Sequence, residues 1–136
     1  KIENHHNFAW KEKQENGEEL IVHRKGATPA QSGKLGIIPA SMVDPGYIVS
    51  GKGDENALSS GAHGSGRRLS RRKAKSSFTN SELKKILRQK KVTLIGGGVD
   101  EAPMVYKNLE DVMTSQKDLV HIEGRFYPQI VRMDKN

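Results

Sequence analysis

Apolar and polar residues alternate loosely near the start of the chain, and this pattern predicts two strands. The first covers residues 7–13, and the second covers residues 19–24 around a Leu-Ile-Val run. Asn16-Gly17 between them is a dipeptide typical of tight turns. The two segments are therefore predicted to pair as a β-hairpin.

Two short apolar runs follow, and each is flanked by residues that favour loops. Residues 35–39 and 47–50 are predicted to be strands, with an Asp-Pro-Gly turn at residues 44–46 between them. Residues 25–34 are rich in Gly, Thr, Pro and Ser and are predicted to form a loop. Residues 51–66 are rich in Gly and Ser, which fits either a flexible linker or a loop that cradles phosphate.

The second half of the chain contains a clear helix signal. Thr79 and Glu82 have the spacing of a capping box, and Leu83, Ile86 and Leu87 then share one helix face.

Weaker patterns complete the expected architecture. A second helix is predicted over residues 105–113, and strands are predicted over residues 92–95, 119–122 and 130–133. Together these elements predict an α+β fold, a mixed sheet with flanking helices, over residues 1–136 as one unit.

The positive charge is concentrated in one part of the chain. Lys and Arg number 23 against 16 Asp and Glu, a net charge of +7. Residues 67–91 alone hold eleven of these cations and a single acid, Glu82. Such a run repels itself without an anionic partner, which favours a polyanion over a merely solvated helix face. Phe78 is the only aromatic residue there, so contacts to a nucleic-acid backbone are favoured over base stacking.

Other features narrow the class of protein. The chain has no cysteine and no run of 18 apolar residues, so we expect a cytoplasmic protein without disulfides or a membrane partner. The first residue is Lys1 rather than Met, from which we expect a fragment or a processed product. No Walker A sequence, G-x-S-x-G elbow or zinc-type cysteine pair is present.

Three histidine motifs could carry chemistry. His63 lies in the Ala-His-Gly-Ser-Gly-Arg sequence of residues 62–67, where it could attack phosphorus while Arg67 clamps a phosphate. The alternative is a surface histidine in a flexible basic loop. His5-His6 could contribute one ring to a metal site or be plain surface histidines. Residues 23–28 (His-Arg-Lys-Gly-Ala-Thr) fit an anion site or a solvated charged turn.

In their order along the chain, these motifs are similar to those of a known family. They are His6-Asn7, VHRKGAT (22–28), IPASM (38–42), YIVSG (47–51), HGSGR (63–67), Ser70-Arg71, DEAP (100–103) and Tyr106-Lys107. The ordered set spans nearly the whole chain and resembles the C-terminal third of the RtcB-type RNA-splicing ligases.

The resemblance implies an enzyme that uses GTP and manganese (Mn2+) to join RNA ends. One end carries a 2′,3′-cyclic phosphate or a 3′-phosphate, and the other a 5′-hydroxyl. The resemblance implies that His63 becomes guanylylated and that His6 binds manganese. It also implies guanylate contacts from Ser41, Ser65, Gly66, Arg67, Tyr106 and Lys135.

The resemblance also bears on what this chain lacks. The family's remaining metal ligands lie upstream, so an N-terminal portion of the ligase is an expected partner and the isolated chain is expected to be inactive. A non-catalytic, basic RNA-binding module is the alternative function. The family often has Ser directly before the Tyr that matches Tyr47, whereas Gly46 stands here, which predicts the loss of one hydrogen bond to guanylate. Residues 124–129 (Gly-Arg-Phe-Tyr-Pro-Gln) also depart from the family pattern.

Overall fold

The computed structural model describes residues 1–5 and 7–133. The strands are β1 (Asn7–Lys13), β2 (Glu19–Lys25), β3 (Ala27–Pro29), β4 (Leu35–Ile38), β5 (Gly46–Gly51), β6 (Ser60–Ala62), β7 (Thr93–Ile95), β8 (Val120–Phe126) and β9 (Ile130–Arg132). The helices are α1 (Arg71–Ser77), α2 (Asn80–Lys90) and α3 (Leu109–Ser115), with short 3-10 turns at Val99–Glu101 and Pro103–Val105.

The α+β class is confirmed, and the strands of the described residues form four small sheets. β1 and β2 pair antiparallel, which confirms the predicted hairpin. β4, β5 and β8 form an antiparallel sheet with β5 in the centre, and β3 pairs antiparallel with β6. β7 and β9 form a parallel pair.

Two clusters of buried apolar side chains make up the core. In the first, Ile38 and Tyr47 of the central sheet pack with Leu109 and Met113 of α3. Ile38 is fully buried, so Ile38→Ala should cost about 2–5 kcal/mol of stability. The second cluster lies against α2 and contains Met42, Val43, Leu83, Val92 and Ala102. Among the described residues, no helix has the length and apolar character needed to cross a bilayer.

The predicted capping box at the start of α2 is confirmed. Thr79 accepts a hydrogen bond from the backbone N–H of Glu82, and the Glu82 carboxylate accepts one from the backbone N–H of Thr79. These bonds satisfy two of the donors that a helix start leaves exposed. The helix ends at Lys91, which adopts the left-handed conformation at φ 56°.

Four short elements differ from the sequence-based expectations. Strands β3 and β6 lie inside the two segments predicted as loops, and they pair with each other. Helix α1 was not predicted, because its only buried side chain is Ala74 and it therefore lacks an apolar stripe. The helix expected over residues 105–113 begins only at Leu109, because Asn108 caps it and Tyr106 is extended.

Gly51 at the end of β5 allows the chain to pass close to the segment after β3. A Cβ atom at this position would collide with the backbone of Ala30. Gly51 also accepts a hydrogen bond from the N–H of Gly33 at 3.0 Å, and its own N–H donates to Lys34. Residues 51–66 are therefore tied to the rest of the molecule and are not a flexible linker.

Candidate functional site

The loop that carries His63 is fixed by hydrogen bonds from several elements. It follows β6 directly, and the N–H of Ala62 donates to the side chain of Gln116, 2.8 Å away at the end of α3. The N–H of His63 donates to the Gly26 carbonyl at 3.4 Å, and that of Ser65 donates to Pro39 at 3.3 Å. These bonds attach the Gly-rich loop to α3, to the segment after β2 and to the segment after β4.

Farther along, the loop is joined to the segment that carries Tyr106. Gly66 accepts a hydrogen bond from the N–H of Lys107 at 3.0 Å, and Arg67 and Tyr106 form an antiparallel bridge. Gly66 adopts φ +70°, a conformation that glycine tolerates best, and apart from its chain neighbours no described residue has an atom within 4 Å of the position of a Cβ there. The backbone at Gly66 is thus open for close approach by a ligand.

A cavity of about 860 Å³ opens beside this loop. Six residues that the sequence singled out line it, although they are spread over positions 41–106: Ser41, His63, Ser65, Gly66, Arg67 and Tyr106. The two other predicted site residues, His6 and Lys135, lie outside the described residues. The volume is in the range of small-molecule sites.

Ser65 has a buried hydroxyl that folding alone does not satisfy. The residue is 4% exposed, and its Oγ has no hydrogen-bond partner in the part of the chain that the structure describes. A buried hydroxyl without a partner is destabilising, so such groups usually mark the place of a ligand or an ordered water. The Ser65 hydroxyl therefore supports a polar ligand in the cavity.

The Ser41 hydroxyl, unlike that of Ser65, already has hydrogen-bond partners within the protein. It donates to the Asp44 carboxylate at 2.5 Å and accepts the N–H of Val43 at 3.3 Å. Because the hydroxyl proton is taken by Asp44, Ser41 can offer only a remaining lone pair to a ligand.

Arg67 is one of three arginines that line the cavity, with Arg71 and Arg132. Its Nε donates to Leu69 O at 3.1 Å, and its Nη2 donates to Asp100 O at 2.5 Å. Its Nη1 lies 3.3 Å from the Glu101 carboxylate in an ion pair whose geometry is not that of a hydrogen bond. The guanidinium also stacks over the Tyr106 ring at 5.5 Å. The side chain is 25% exposed, so part of the guanidinium can meet an anion in the cavity, although the Nη1 atom is buried.

The Tyr106 hydroxyl stays protonated across the ordinary pH range. Burial, followed by a hydrogen bond to Glu101, raises the pKa of Tyr106 to about 12. The hydroxyl donates to Glu101, so its lone pairs are left to accept from a ligand.

The opposite wall of the cavity comes from β8, β9 and the segment between them. Phe126 and Pro128 line it, and Tyr127 and Ile130 add large side chains that are 69% and 71% exposed. The Phe126 ring explains why glycine stands at position 46. A Cβ on Gly46 would lie 2.6 Å from Phe126 Cε1, so the ring fills the space that a serine side chain would need. Gly46 and Phe126 are therefore coupled by packing in this chain.

The structure also bears on two other sequence hypotheses, an anion site at residues 23–28 and a metal site. Arg24, offered as part of an anion site, is 2% exposed and makes a double hydrogen bond to Glu12 at 2.7 and 2.9 Å. It also donates to Ser60 and Leu58, so it holds β2 against the start of β6 and is not available to an anion. Among the described residues, no group of three His, Cys, Asp or Glu side chains could hold a metal ion.

Sequence reasoning missed the residues that hold the site from behind. Gln116 is buried and anchors the His63 loop, and Asp100 and Glu101 hold Arg67 and Tyr106. The sequence identified Asp100 and Glu101 only as part of a motif, because two adjacent carboxylates do not reveal which cations they will contact once the chain has folded.

Comparison with known proteins agrees with the motif order. A family model described as "tRNA-splicing ligase RtcB" matches residues 1–134. The "RNA-splicing ligase RtcB" of Escherichia coli (strain K12) is 42% identical over 118 residues, 87% of this chain and 29% of that protein. The "tRNA-splicing ligase RtcB" of Nanoarchaeum equitans is 36% identical over 135 residues, 84% of this chain and 28% of that protein.

A more distant relative shows the same pattern of coverage. The "RNA-splicing ligase RtcB" of Mycobacterium tuberculosis (strain H37Rv) is 30% identical over 128 residues, 80% of this chain and 30% of that protein. The chain therefore spans less than a third of the length of these curated relatives. Since the family match covers almost every residue and the motifs line one cavity, this chain belongs to the RtcB family of tRNA-splicing ligases.

Proposed function

We propose that this chain supplies the guanylate-accepting pocket of a GTP- and manganese-dependent RNA ligase. The ligase would join a 2′,3′-cyclic phosphate or 3′-phosphate RNA end to a 5′-hydroxyl end. The observation that carries the proposal is the cavity lined by six residues that the family resemblance singled out, His63 and Arg67 among them. The names of the relatives support RNA ligation, and the chemistry of the two RNA ends is proposed from the family resemblance.

In the proposed reaction, His63 is the nucleophile. A ring nitrogen forms a bond to the α-phosphorus of GTP while the bond to the bridging oxygen breaks and pyrophosphate leaves. A 2′,3′-cyclic phosphate end is first opened by water to a 3′-phosphate. An oxygen of the 3′-phosphate then bonds to the phosphorus of the guanylate while the bond between that phosphorus and the His63 nitrogen breaks. Attack by the 5′-hydroxyl oxygen on that activated phosphate releases GMP and joins the two RNAs.

The other residues of the cavity would bind and orient the nucleotide. The planar fork of Arg67 suits phosphate oxygens, and the backbone beside Gly66 is open to them. The Ser65 hydroxyl, which has no partner among the described residues, would gain one from the nucleotide. Since Arg67 and the loop are already held in place, charge developing on phosphorus would meet groups that need little rearrangement.

Manganese is proposed on the family resemblance, with His6 as one ligand. The described residues hold no group of three potential ligands, so the others must come from outside them. A bound manganese ion would supply charge neutralisation for phosphate groups.

RNA would bind along what we call the basic helices, α1 and α2 with their exposed cations. These cations are Arg72, Lys73, Lys75, Lys84, Lys85, Arg88, Lys90 and Lys91. None of them forms an ion pair with a carboxylate in the described part of the chain. The one acid of the segment, Glu82, is occupied by its own helix cap. Arg71 links the basic helices to the cavity, since it begins α1 and lines the cavity wall.

The test is RNA joining by a hybrid enzyme. In the hybrid, this chain replaces the matching segment of the Escherichia coli relative, to which it is 42% identical. The hybrid should join 3′-phosphate and 5′-hydroxyl RNA ends with GTP and manganese, and the same hybrid carrying His63→Ala should not. Equal joining by both proteins would overturn the proposal.

A non-catalytic RNA-binding module is the second candidate, and the basic helices are the observation that favours it. It predicts RNA binding that weakens steeply with salt and does not depend on His63 or GTP. A folded hybrid that binds RNA and never joins it would support this second function.

A further inference from the structure

Two acidic residues behind the cavity are not used by the proposed reaction. Asp100 and Glu101 belong to the 3-10 turn Val99–Glu101, and neither lines the cavity. Asp100 is 2% exposed, and the Glu101 side chain is 12% exposed. Buried carboxylates are unfavourable unless they are paired, so their partners indicate what they are for.

Glu101 contacts three side chains that line the cavity. It accepts the Tyr106 hydroxyl hydrogen, and it forms ion pairs with Arg67 and with Arg71. Asp100 reaches two of the same residues. Its carboxylate accepts from Arg71 at 2.8 Å, and its backbone carbonyl accepts from Arg67 at 2.5 Å.

These contacts hold Arg67 from three directions. Leu69 O binds its Nε, Asp100 O binds its Nη2, and the Glu101 carboxylate lies beside its Nη1. The Tyr106 ring, itself tied to Glu101, covers the face of the guanidinium. Because the Arg67 side chain is already fixed, ligand binding does not incur the cost in side-chain entropy that ordering a mobile arginine would.

We infer that Glu101 is a positioning residue: it presents Arg67 to the phosphate of the bound ligand. The inference rests on the proposed function only in taking that ligand to be a guanine nucleotide. A carboxylate beside an anion site also has the opposite effect, because its negative charge repels phosphate. The two effects predict opposite signs for the loss of Glu101, and this makes the inference testable.

The experiment measures binding of GMP and of inorganic pyrophosphate to this chain by isothermal titration calorimetry. Glu101→Gln removes one negative charge beside the cavity. If Glu101 positions Arg67, the variant should bind both anions about tenfold more weakly, the loss of one charge-assisted contact. Unchanged or tighter binding would show that Glu101 is only a counter-charge, and it would overturn the inference.

The matched control is Glu110→Gln. Glu110 makes the same kind of triad away from the cavity: it accepts the Tyr47 hydroxyl at 2.5 Å and lies 3.4 Å from Arg125, which covers the Tyr47 ring. This control removes the same charge and should change anion binding less than twofold.

A double-mutant cycle separates positioning from a general loss of structure. In an Arg67→Ala background, Glu101→Gln should weaken pyrophosphate binding no further, because the side chain it positions is gone. A further tenfold loss in that background would contradict the inference. If Glu101→Gln does not fold, Arg67→Lys serves instead: it keeps the charge but loses the held fork, so wild-type affinity in that variant would sink the inference.

The two proposals can fail separately. Binding of pyrophosphate but not GMP, with the Glu101 dependence intact, would overturn the nucleotide function and leave the role of Glu101 standing. Binding of neither anion by the folded wild-type chain would overturn both.

Discussion

The Ser65 hydroxyl is expected to lower the stability of the free protein and to strengthen binding of the nucleotide. It is buried without a partner among the described residues. We therefore expect Ser65→Ala to leave the free protein as stable as before or more stable, by about 0–1 kcal/mol. The same change should weaken GMP binding, because the nucleotide loses a hydrogen bond. Urea unfolding and calorimetric titration measure the two effects, and a clear loss of stability would mean that Ser65 has a structural partner.

The raised pKa of Tyr106 predicts that the folded protein loses stability in alkali. The Tyr106 pKa is raised to about 12 in the folded protein, whereas an unfolded tyrosine ionises near 10. The neutral hydroxyl therefore stabilises the fold fully below about pH 10, and that contribution is lost as the pH rises towards 12. Tyr106→Phe should reduce the fall in urea midpoint between about pH 9 and about pH 11.5. An equal fall in both proteins would mean that Tyr106 does not titrate as the structure indicates.

The sequence identified residues that line the cavity, but it did not identify the residues that hold them in place. The Gly-rich context of His63 and the nearby Arg67 were compatible with phosphate chemistry, and the family resemblance then singled out the cavity residues. Gln116, Asp100 and Glu101 could not be identified in that way, since their roles depend on contacts with residues distant in sequence, such as Gln116 with Ala62, 54 positions away, and Asp100 with Arg67, 33 positions away. The pairing of Gly46 with the Phe126 ring is equally invisible until the two strands meet.

Among the elements, the basic helices give the clearest prediction. Replacing Arg72, Lys73 and Lys75 of α1 with Ala should weaken binding of single-stranded RNA. If each cation neutralises a phosphate, the slope of log affinity against log salt should become shallower by about 0.7 per lost contact. Filter binding over a range of salt concentrations measures the slope. Arg71 is left unchanged, because it is paired with Asp100 and Glu101.

The control for this experiment removes the same amount of charge elsewhere. Lys13, Lys25 and Lys34 are exposed and lie outside the basic helices. Their replacement with Ala should change the salt slope much less than the α1 substitutions do. Equal effects from both sets would mean that RNA responds to net charge alone, and that the basic helices are not a specific surface.

Elements with strong local signals were predicted well, and those formed by tertiary contacts were not. The Asn16-Gly17 hairpin and the Thr79 capping box depend on neighbouring residues, which is why the sequence contained them. Strands β3 and β6 are three residues each and are formed by pairing with each other across the fold. Helix α1 is held by the contacts of Ala74 and Arg71 and not by an apolar stripe.

For the whole molecule, we expect that this chain alone does not join RNA ends. It spans 29% of the Escherichia coli relative, and its described residues hold no set of three metal ligands. The purified chain should therefore fail to ligate RNA with GTP and manganese, while it still binds RNA through its basic helices. Robust joining by the isolated chain would show that it contains a complete metal site.

The central claim is that His63 accepts guanylate, and transfer of label from α-labelled GTP tests it most directly. The hybrid enzyme, incubated with manganese and labelled GTP, should become labelled through a bond that is labile in acid and more durable in alkali, as expected of a phosphoramidate. Peptide mapping should place the label on His63, and His63→Ala and His63→Gln should both abolish it, because neither side chain offers an attacking nitrogen of this kind. Acid-labile label that persists in the His63→Ala protein would contradict the account.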